Sequence, residues 1–113
     1  MNALRNKVML IGHVGNEPEI KIFEGGKKKA NFTLATNESY KNDKGELVEL
    51  TQWHRCCAWG DAAEMIEKQV AKGREIAVDG KLTHRSYDDK NGEKRYITEV
   101  LTNEVLLLGK LTA

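Results

Sequence analysis

Residues 49–73, ELTQWHRCCAWGDAAEMIEKQVAKG, change their periodicity halfway along, and this change decides the fold class. Up to Trp59 the side chains alternate on a period of two, as they do in a strand. After Gly60 the apolar residues recur at helical spacing instead. The helical face consists of Ala62, Ala63, Ile66 and Val70. The segment therefore predicts a strand that runs directly into a helix.

The predicted helix has its own start and stop signals. Asp61 and Glu64 are interpreted as a capping pair, and Gly73 as the stop. The rest of the chain reads as strands joined by turns at Gly25-Gly26, residues 42–45 and Asn91-Gly92. Three strands, one helix and two strands is the order of a five-stranded oligonucleotide/oligosaccharide-binding (OB) barrel, with its helix between strands 3 and 4. We therefore predict an all-β fold with one helix, in a single domain that spans residues 1–113.

The composition is that of a folded protein with balanced charge. A chain of 113 residues buries a core without crosslinks, and 18 Lys plus Arg against 17 Asp plus Glu leave any basic surface to local clustering. Cys56 and Cys57 are adjacent and point to opposite faces of a strand, so we expect neither a disulfide between them nor a metal site. No stretch approaches the roughly 20 apolar residues of a membrane span, and the N-terminus does not resemble a signal peptide. These observations predict a cytoplasmic protein with no membrane contact and no cofactor.

Both tryptophans lie on the strand that precedes the helix. The face that they share consists of Trp53, Arg55, Cys57 and Trp59. The opposite face carries His54 and small side chains, which suit the inside of a small barrel. The two indoles are about 20 Å apart along the strand, so each can stack on a different base while Arg55 contacts a phosphate. The alternative is that both indoles are core or interface residues, which is common for tryptophan.

The other aromatic residues divide by their neighbours. Tyr40 and Tyr87 have polar flanks, which favours exposed platforms for a ligand. Phe32 alternates with Leu34 and is predicted to lie in the core, whereas Tyr96 and Phe23 are interpreted as structural. The lysines of GGKKKA fit a solvated hairpin as well as a ligand contact.

Several segments, in order and spacing, resemble a known family. They are NKVMLIGHVGNEPEIK, ANFTLATNESYKN, QWHRCCAWGDAAE, KGREIAVDGKLTHRSYDDKNGEKRY and TEVL. From about residue 6 to residue 108 the chain resembles the bacterial single-stranded DNA-binding proteins. The resemblance implies an OB-fold barrel that forms a homotetramer and coats single-stranded DNA without reading its sequence, in DNA replication, recombination and repair. It also implies a cytoplasmic, nucleoid-associated protein.

The resemblance implies site residues as well. Its base-stacking positions match Tyr40, Trp53, Trp59 and Tyr87. Its positions for cations that contact the DNA backbone match Arg5, Arg55, Lys72 and Arg85. The histidine of the WHR motif, His54, lies in that family near subunit contacts.

The chain departs from the family pattern in three respects. Two platform positions are tyrosine where tryptophan is frequent, and Asp61 stands where a lysine is common. The sequence also ends after the last strand, without the flexible linker and acidic tail that recruit replication and repair enzymes in the family. Recruitment of replication and repair partners through such a tail is therefore not carried over from the family to this sequence.

Two other classes of function compete with DNA binding. A barrel of this kind also serves as a protein-interaction module, for example in a primosomal subunit. An enzyme is poorly supported, because His13, His54 and His84 lie on separate segments with no Ser or Cys partner at a motif spacing. No phosphate-binding glycine loop is present either. We therefore predict a binding protein and no catalytic residues.

Overall fold

A computed structural model describes residues 3–109 and shows a β-barrel with one helix. The strands and the helix are β1 Val8–Val14, β2 Glu19–Ile22, β3 Lys28–Lys41, β4 Leu47–Trp59, α1 Gly60–Gln69, β5 Glu75–Asp88 and β6 Lys94–Leu107. Short 3-10 turns occupy Ala3–Asn6 and Glu24–Gly26. Most of the regular structure is therefore strand, as the alternating pattern predicts.

The strands close into a barrel of the predicted type. Their order is β1-β5-β6-β4-β3-β2, and β1 also pairs with β3, which joins the two ends of a five-stranded ring. The closing pairs are His13 with Ala35 and Val14 with Leu34. This arrangement confirms the five-stranded OB-type barrel. Because β2 is a separate short strand after β1, residues 3–109 form six strands and the helix lies between β4 and β5.

Alternate side chains of the strands fill the inside of the barrel. Phe32 and Leu34 are buried, which confirms their assignment to the core. Ile66 is fully buried and brings α1 against the same cluster. The other buried apolar residues of this cluster are Val14, Ala30, Cys56, Ala58, Ala63, Val70, Ile76, Val78 and Val100. Burial of this set is what positions the outward-facing residues between them.

The helix starts two residues earlier than its predicted capping pair implies, because its N-cap is residue 59 and not residue 61. Trp59 is the N-cap residue and makes no side-chain cap hydrogen bond, so the predicted capping pair of Asp61 and Glu64 is wrong. Asp61 instead lies in the first turn, where a negative charge suits the helix dipole. The helix ends at Gln69, before the predicted stop at Gly73. No helix within residues 3–109 is long and apolar enough to cross a membrane.

Two hairpins extend beyond the barrel. We call residues 37–51 of β3–β4 the first arm and residues 84–98 of β5–β6 the second arm; most of their side chains are exposed. The radius of gyration is 16.3 Å, against about 13 Å for a compact domain of this length. The arms account for this excess, and they extend the outer surface along which a long ligand could lie.

The two arms end in the same kind of turn. Asn42 Oδ1 accepts hydrogen bonds from the backbone N–H groups two and four residues ahead, both at 2.9 Å. Asp89 Oδ1 accepts the equivalent pair at the same distance. The local sequences are also alike, SYKNDKGE at residues 39–46 and SYDDKNGE at residues 86–93. Each arm therefore carries a tyrosine, Tyr40 or Tyr87, two residues before its capping side chain.

Burial of one thiol predicts a dependence of stability on pH. Desolvation raises the pKa of Cys56 from 9.0 to about 12, because burial penalises the thiolate. Above its ordinary pKa this thiol ionises in the unfolded chain and stays protonated in the folded one, so the unfolded state binds fewer protons. We therefore expect the free energy of unfolding to fall as the pH rises from about 9 through about 12. Urea denaturation at a series of pH values measures this.

The Cys56→Ala variant isolates the thiol from the tyrosines and lysines that titrate in the same range. Its free energy of unfolding is expected to fall less steeply with pH than that of the parent chain. Equal slopes for the two proteins would contradict the assignment.

Candidate nucleic-acid interface

The outer face of the β3–β4 hairpin carries the predicted tryptophans. The register of the two strands is continuous and pairs Trp59 with Lys29, Arg55 with Thr33 and Trp53 with Ala35. Residues that are paired in an antiparallel sheet point to the same side. Trp53 is 64% exposed and Trp59 is 43% exposed, and Arg55 between them is also exposed. The structure therefore places these three side chains on one exposed face, as the alternation predicts.

The second arm adds residues to the same face. β4 and β6 run parallel and pair Cys56 with Val100, and both of these side chains lie in the core. The preceding residues on the two strands, Arg55 and Glu99, therefore point outward. Glu99 lies diagonally across β6–β5 from Arg85, whose Nε donates to Glu99 Oε1 at 2.7 Å. Tyr87 follows two residues later on the same side and is 45% exposed.

A cavity of about 310 Å³ joins these elements on the outer face. We call it the cationic cavity. Its charged lining residues are Lys21, Lys29, Arg55 and Arg85, with the carboxylates Glu19 and Glu99. Positive charge therefore exceeds negative charge here, although the chain as a whole is almost neutral. Local clustering produces the basic surface that the overall composition does not show.

Trp59 lies at the basic end of this face and has two ring contacts. The Nζ atom of Lys29 lies over its ring, 5.2 Å from the centroid, in a cation–π contact. The ring of Phe23 lies 5.5 Å away with an interplanar angle of 36°. Phe23 is partly exposed, so it belongs to this surface rather than to the core. Of the three consecutive lysines, Lys29 reaches the site, whereas Lys28 pairs with Glu67 on the helix at 2.6 Å.

Trp53 lies against the loop that links β1 to β2. A Cβ atom at Gly15 would come within 2.5 Å of Trp53 Cζ3, so only glycine leaves room for the indole there. The loop itself is held by Asn16, whose Oδ1 accepts from the N–H and the hydroxyl of Thr33 at 2.8 and 2.7 Å. One side of the indole is thus supported by fixed backbone while most of the ring remains open to solvent.

Tyr40 lies on the opposite face of the first arm. It pairs with Val48 on β4. Because Tyr40 and Leu34 are an even number of positions apart on β3, their side chains point to the same side of the strand, and Leu34 is buried in the barrel. Tyr96 similarly pairs with Ser86, on the side of the second arm away from Tyr87. Both tyrosines are well exposed, so the interpretation of Tyr96 as a structural residue is wrong. The outer face therefore brings together three of the four predicted platforms.

Two of the predicted phosphate contacts lie elsewhere on the surface. Arg5 is exposed in the first 3-10 turn, and the next residue, Asn6, exchanges two hydrogen bonds of 3.0 Å with the backbone of Leu82. Lys72 follows the helix, and its backbone N–H donates to Glu17 Oε1 at 3.2 Å. Neither cation lines the cationic cavity.

The sulfur and imidazole groups nearby are buried or half-buried. Cys57 points outward but is buried, and its burial raises the pKa of its thiol. His54 Nε2 and Thr36 Oγ1 form a hydrogen bond of 2.9 Å on the other side of the strand. In the part of the chain that the structure describes, no three His, Cys, Asp or Glu side chains meet as a metal site.

Comparison with known proteins gives consistent matches over nearly the whole chain. The model of the single-strand binding protein family matches residues 5–108. A protein from Chlorobaculum tepidum named single-stranded DNA-binding protein 1 is 47% identical over 105 residues, which are 92% of this chain and 65% of that protein. This chain therefore spans less than two thirds of the length of that relative.

Two solved structures share the fold. A Plasmodium falciparum SSB in complex with ssDNA superposes with a TM-score of 0.87 at 39% identity, covering 92% of this chain and 95% of that one. A deletion mutant of the single-stranded DNA binding protein from Thermus aquaticus has a TM-score of 0.80 at 30% identity, over 92% of this chain and 50% of that one. Both similarities cover 92% of this chain.

Proposed function

Because this chain belongs to the single-strand binding protein family, we propose that it binds single-stranded DNA as one OB-fold domain, without reading its sequence. The observation that carries the proposal is the outer face, where Trp53, Trp59 and Tyr87 are exposed beside Arg55 and the other cations of the cationic cavity. The Plasmodium falciparum SSB, 95% of whose chain is covered by the match to this chain, was solved in complex with ssDNA. The family binds DNA and is not enzymatic, in keeping with the prediction of a binding protein.

In the proposed mechanism, aromatic rings stack on the bases and cationic side chains neutralise the phosphates. Bases of the single strand lie flat on the three rings, and each stacked base contributes about 1–3 kcal/mol whatever its identity. Lys29, Arg55 and their neighbours neutralise the phosphates between the stacked bases. Since every base has a flat face and every nucleotide a phosphate, neither contact depends on sequence.

The remaining predicted contacts belong to parts of the strand outside the cationic cavity. We propose that Tyr40, Arg5 and Lys72 meet the strand where it leaves the outer face. We also propose, from the family, that the coated DNA serves replication, recombination and repair in a bacterial cytoplasm. In these processes the single-stranded DNA is longer than one OB-fold domain can cover.

Titration with oligo-dT tests the proposed function. The fluorescence of the exposed indoles is expected to fall as bases stack on Trp53 and Trp59, and the affinity is expected to weaken as salt is raised. A duplex of the same length is the control, because its bases are already stacked, and it should cause little quenching. An unchanged fluorescence with oligo-dT at low salt would reject the proposal.

We further propose that the protein assembles into a homotetramer through its β1–β5–β6 face. Three exposed apolar side chains lie on this face: Met9, Ile11 and Leu106. One edge of β1 pairs with β5, but the other edge is open along residues 8–12, which pair with no other described strand. An exposed apolar patch beside an open strand edge is typical of an association surface. Light scattering should report four times the chain mass of 12.7 kDa, and a stable monomer would contradict the assembly.

A further inference from the structure

A nearly buried carboxylate lies among the cations of the cationic cavity. Glu99 is 7% exposed, lines the cavity with Arg55 and Arg85, and accepts a hydrogen bond of 2.7 Å from Arg85 Nε. It also lines a second cavity, which Trp53 and Arg55 share. A negative charge at this place repels phosphate, so it opposes the ligand that the surrounding residues attract.

The two arginines differ in their relation to this carboxylate. Arg85 forms an ion pair with Glu99, and the hydrogen bond and the charge of Glu99 raise the pKa of Arg85. Arg55 forms no ion pair with any residue in the described range 3–109. The positive charge of Arg85 is thus largely offset by Glu99, whereas that of Arg55 is available to a phosphate.

We propose that Glu99 limits the affinity for single-stranded DNA, and that Arg85 acts mainly as a positioning residue that shields the strand from this carboxylate. The proposal rests on the proposed function, because it assigns roles within the same site. An alternative is a purely structural ion pair that ties β5 to β6. That alternative predicts an effect on stability but none on the salt dependence of binding.

The Glu99→Gln variant tests the first part of the proposal. Glutamine keeps the shape and an oxygen that accepts from Arg85 Nε, but it removes the charge, so Arg85 becomes a net cation toward phosphate. The plot of log affinity against log salt is expected to steepen by about 0.7, the contribution of one cation on a single strand. At about 50 mM salt the variant should bind oligo-dT about 8-fold more tightly, and near 1 M the difference should vanish. An unchanged or shallower slope would overturn the proposal.

The Glu67→Gln variant is the matched control. Glu67 is also an ion-paired glutamate, with Lys28 at 2.6 Å, but it lies on the helix and lines neither cavity. The Glu67→Gln substitution changes the net charge of the whole protein by the same amount as Glu99→Gln. If Glu67→Gln tightened binding as much as Glu99→Gln, the effect would be one of overall charge, and the specific role of Glu99 would be rejected.

A double-mutant comparison tests the role of Arg85. Arg85→Ala alone leaves the carboxylate exposed to the strand and is expected to weaken binding about 8-fold at about 50 mM salt. Adding Glu99→Gln should return the affinity to within about twofold of the parent chain, because the net charge of the site is then the same. If the double variant binds as weakly as Arg85→Ala, Arg85 contacts phosphate directly and this part of the proposal is wrong. Failure of the parent chain itself to bind oligo-dT would instead reject the proposed function.

Discussion

Replacing both Trp53 and Trp59 by alanine is expected to weaken binding to oligo-dT by about 30-fold to about 20,000-fold. Each stacked base contributes about 1–3 kcal/mol, and two lost stacks therefore remove about 2–6 kcal/mol. The two indoles are far enough apart to hold different bases, so their contributions should be nearly additive. Because the variant has no tryptophan, its binding must be followed by the anisotropy of a labelled oligo-dT.

Aromatic replacements at the same two positions separate stacking from mere loss of packing. Trp53→Phe and Trp59→Phe retain a ring, so their combined loss of affinity should be much smaller than that of the alanine pair. The thermal stability of the alanine variant also needs to be measured, because Trp59 packs on Phe23 and under Lys29. Nearly intact binding by a folded alanine variant would show that the two indoles are not the stacking platforms, and would favour a protein partner as the ligand of the Trp53–Trp59 face.

The outer face could be predicted from sequence to the extent that it is a local property. Alternation along one strand is sufficient to place Trp53, Arg55 and Trp59 together, because a strand has a fixed period of two. The same rule identifies Phe32 as a core residue. Neither inference requires knowledge of which strands are neighbours.

The misplaced aromatic residues show where this reasoning stops. Polar flanks indicate that Tyr40 is exposed, but exposure does not say toward which side of the sheet a ring points. Every second residue along β3 from the buried Leu34 points to the same side, and this count reaches Tyr40. The alternation therefore predicts that the Tyr40 ring points away from the face that carries Trp53, and this alternation can be read from the sequence. The same count from the buried Val100 reaches Tyr96 along β6, whereas the residue that lies opposite Tyr96, Ser86, is set by the register between β5 and β6.

Contacts between distant strands are the part that sequence does not provide. Glu99 stands in the TEVL motif, but its pairing with Arg85 follows from the register of β5 on β6, and its place beside Arg55 from the parallel pairing of β4 and β6. The burial of Cys57 has a related cause, because alternation places it outward on β4 and only the pairing with β6 puts Leu101 beside it. Exposed aromatic residues can be found from sequence, whereas the charges that surround them depend on the folded sheet.

The Gly12→Ala substitution is expected to destabilise the protein by about 3 kcal/mol or more and to lower its melting temperature by over about 10 °C. Gly12 lies where β1 crosses β3 to close the barrel, and a Cβ atom there would overlap the backbone carbonyl of Ala35. Since the obstacle is backbone, no change of side-chain rotamer relieves it. The strands must separate, which breaks the closing pairs of His13 with Ala35 and Val14 with Leu34. Thermal unfolding followed by circular dichroism measures the loss.

Gly25→Ala is the matched control for this prediction. Gly25 has a positive φ of 86° but no neighbouring atom within 4 Å of an added Cβ, so its substitution costs only the backbone strain of about 1 kcal/mol. The comparison separates loss of space from loss of conformational freedom, because the chemical change is the same at both positions. If the two variants melt at the same temperature, the close approach of β1 to β3 does not limit stability. A larger loss at Gly12 would show that the closed barrel, on whose outer face the rings and cations stand, depends on a position with no side chain.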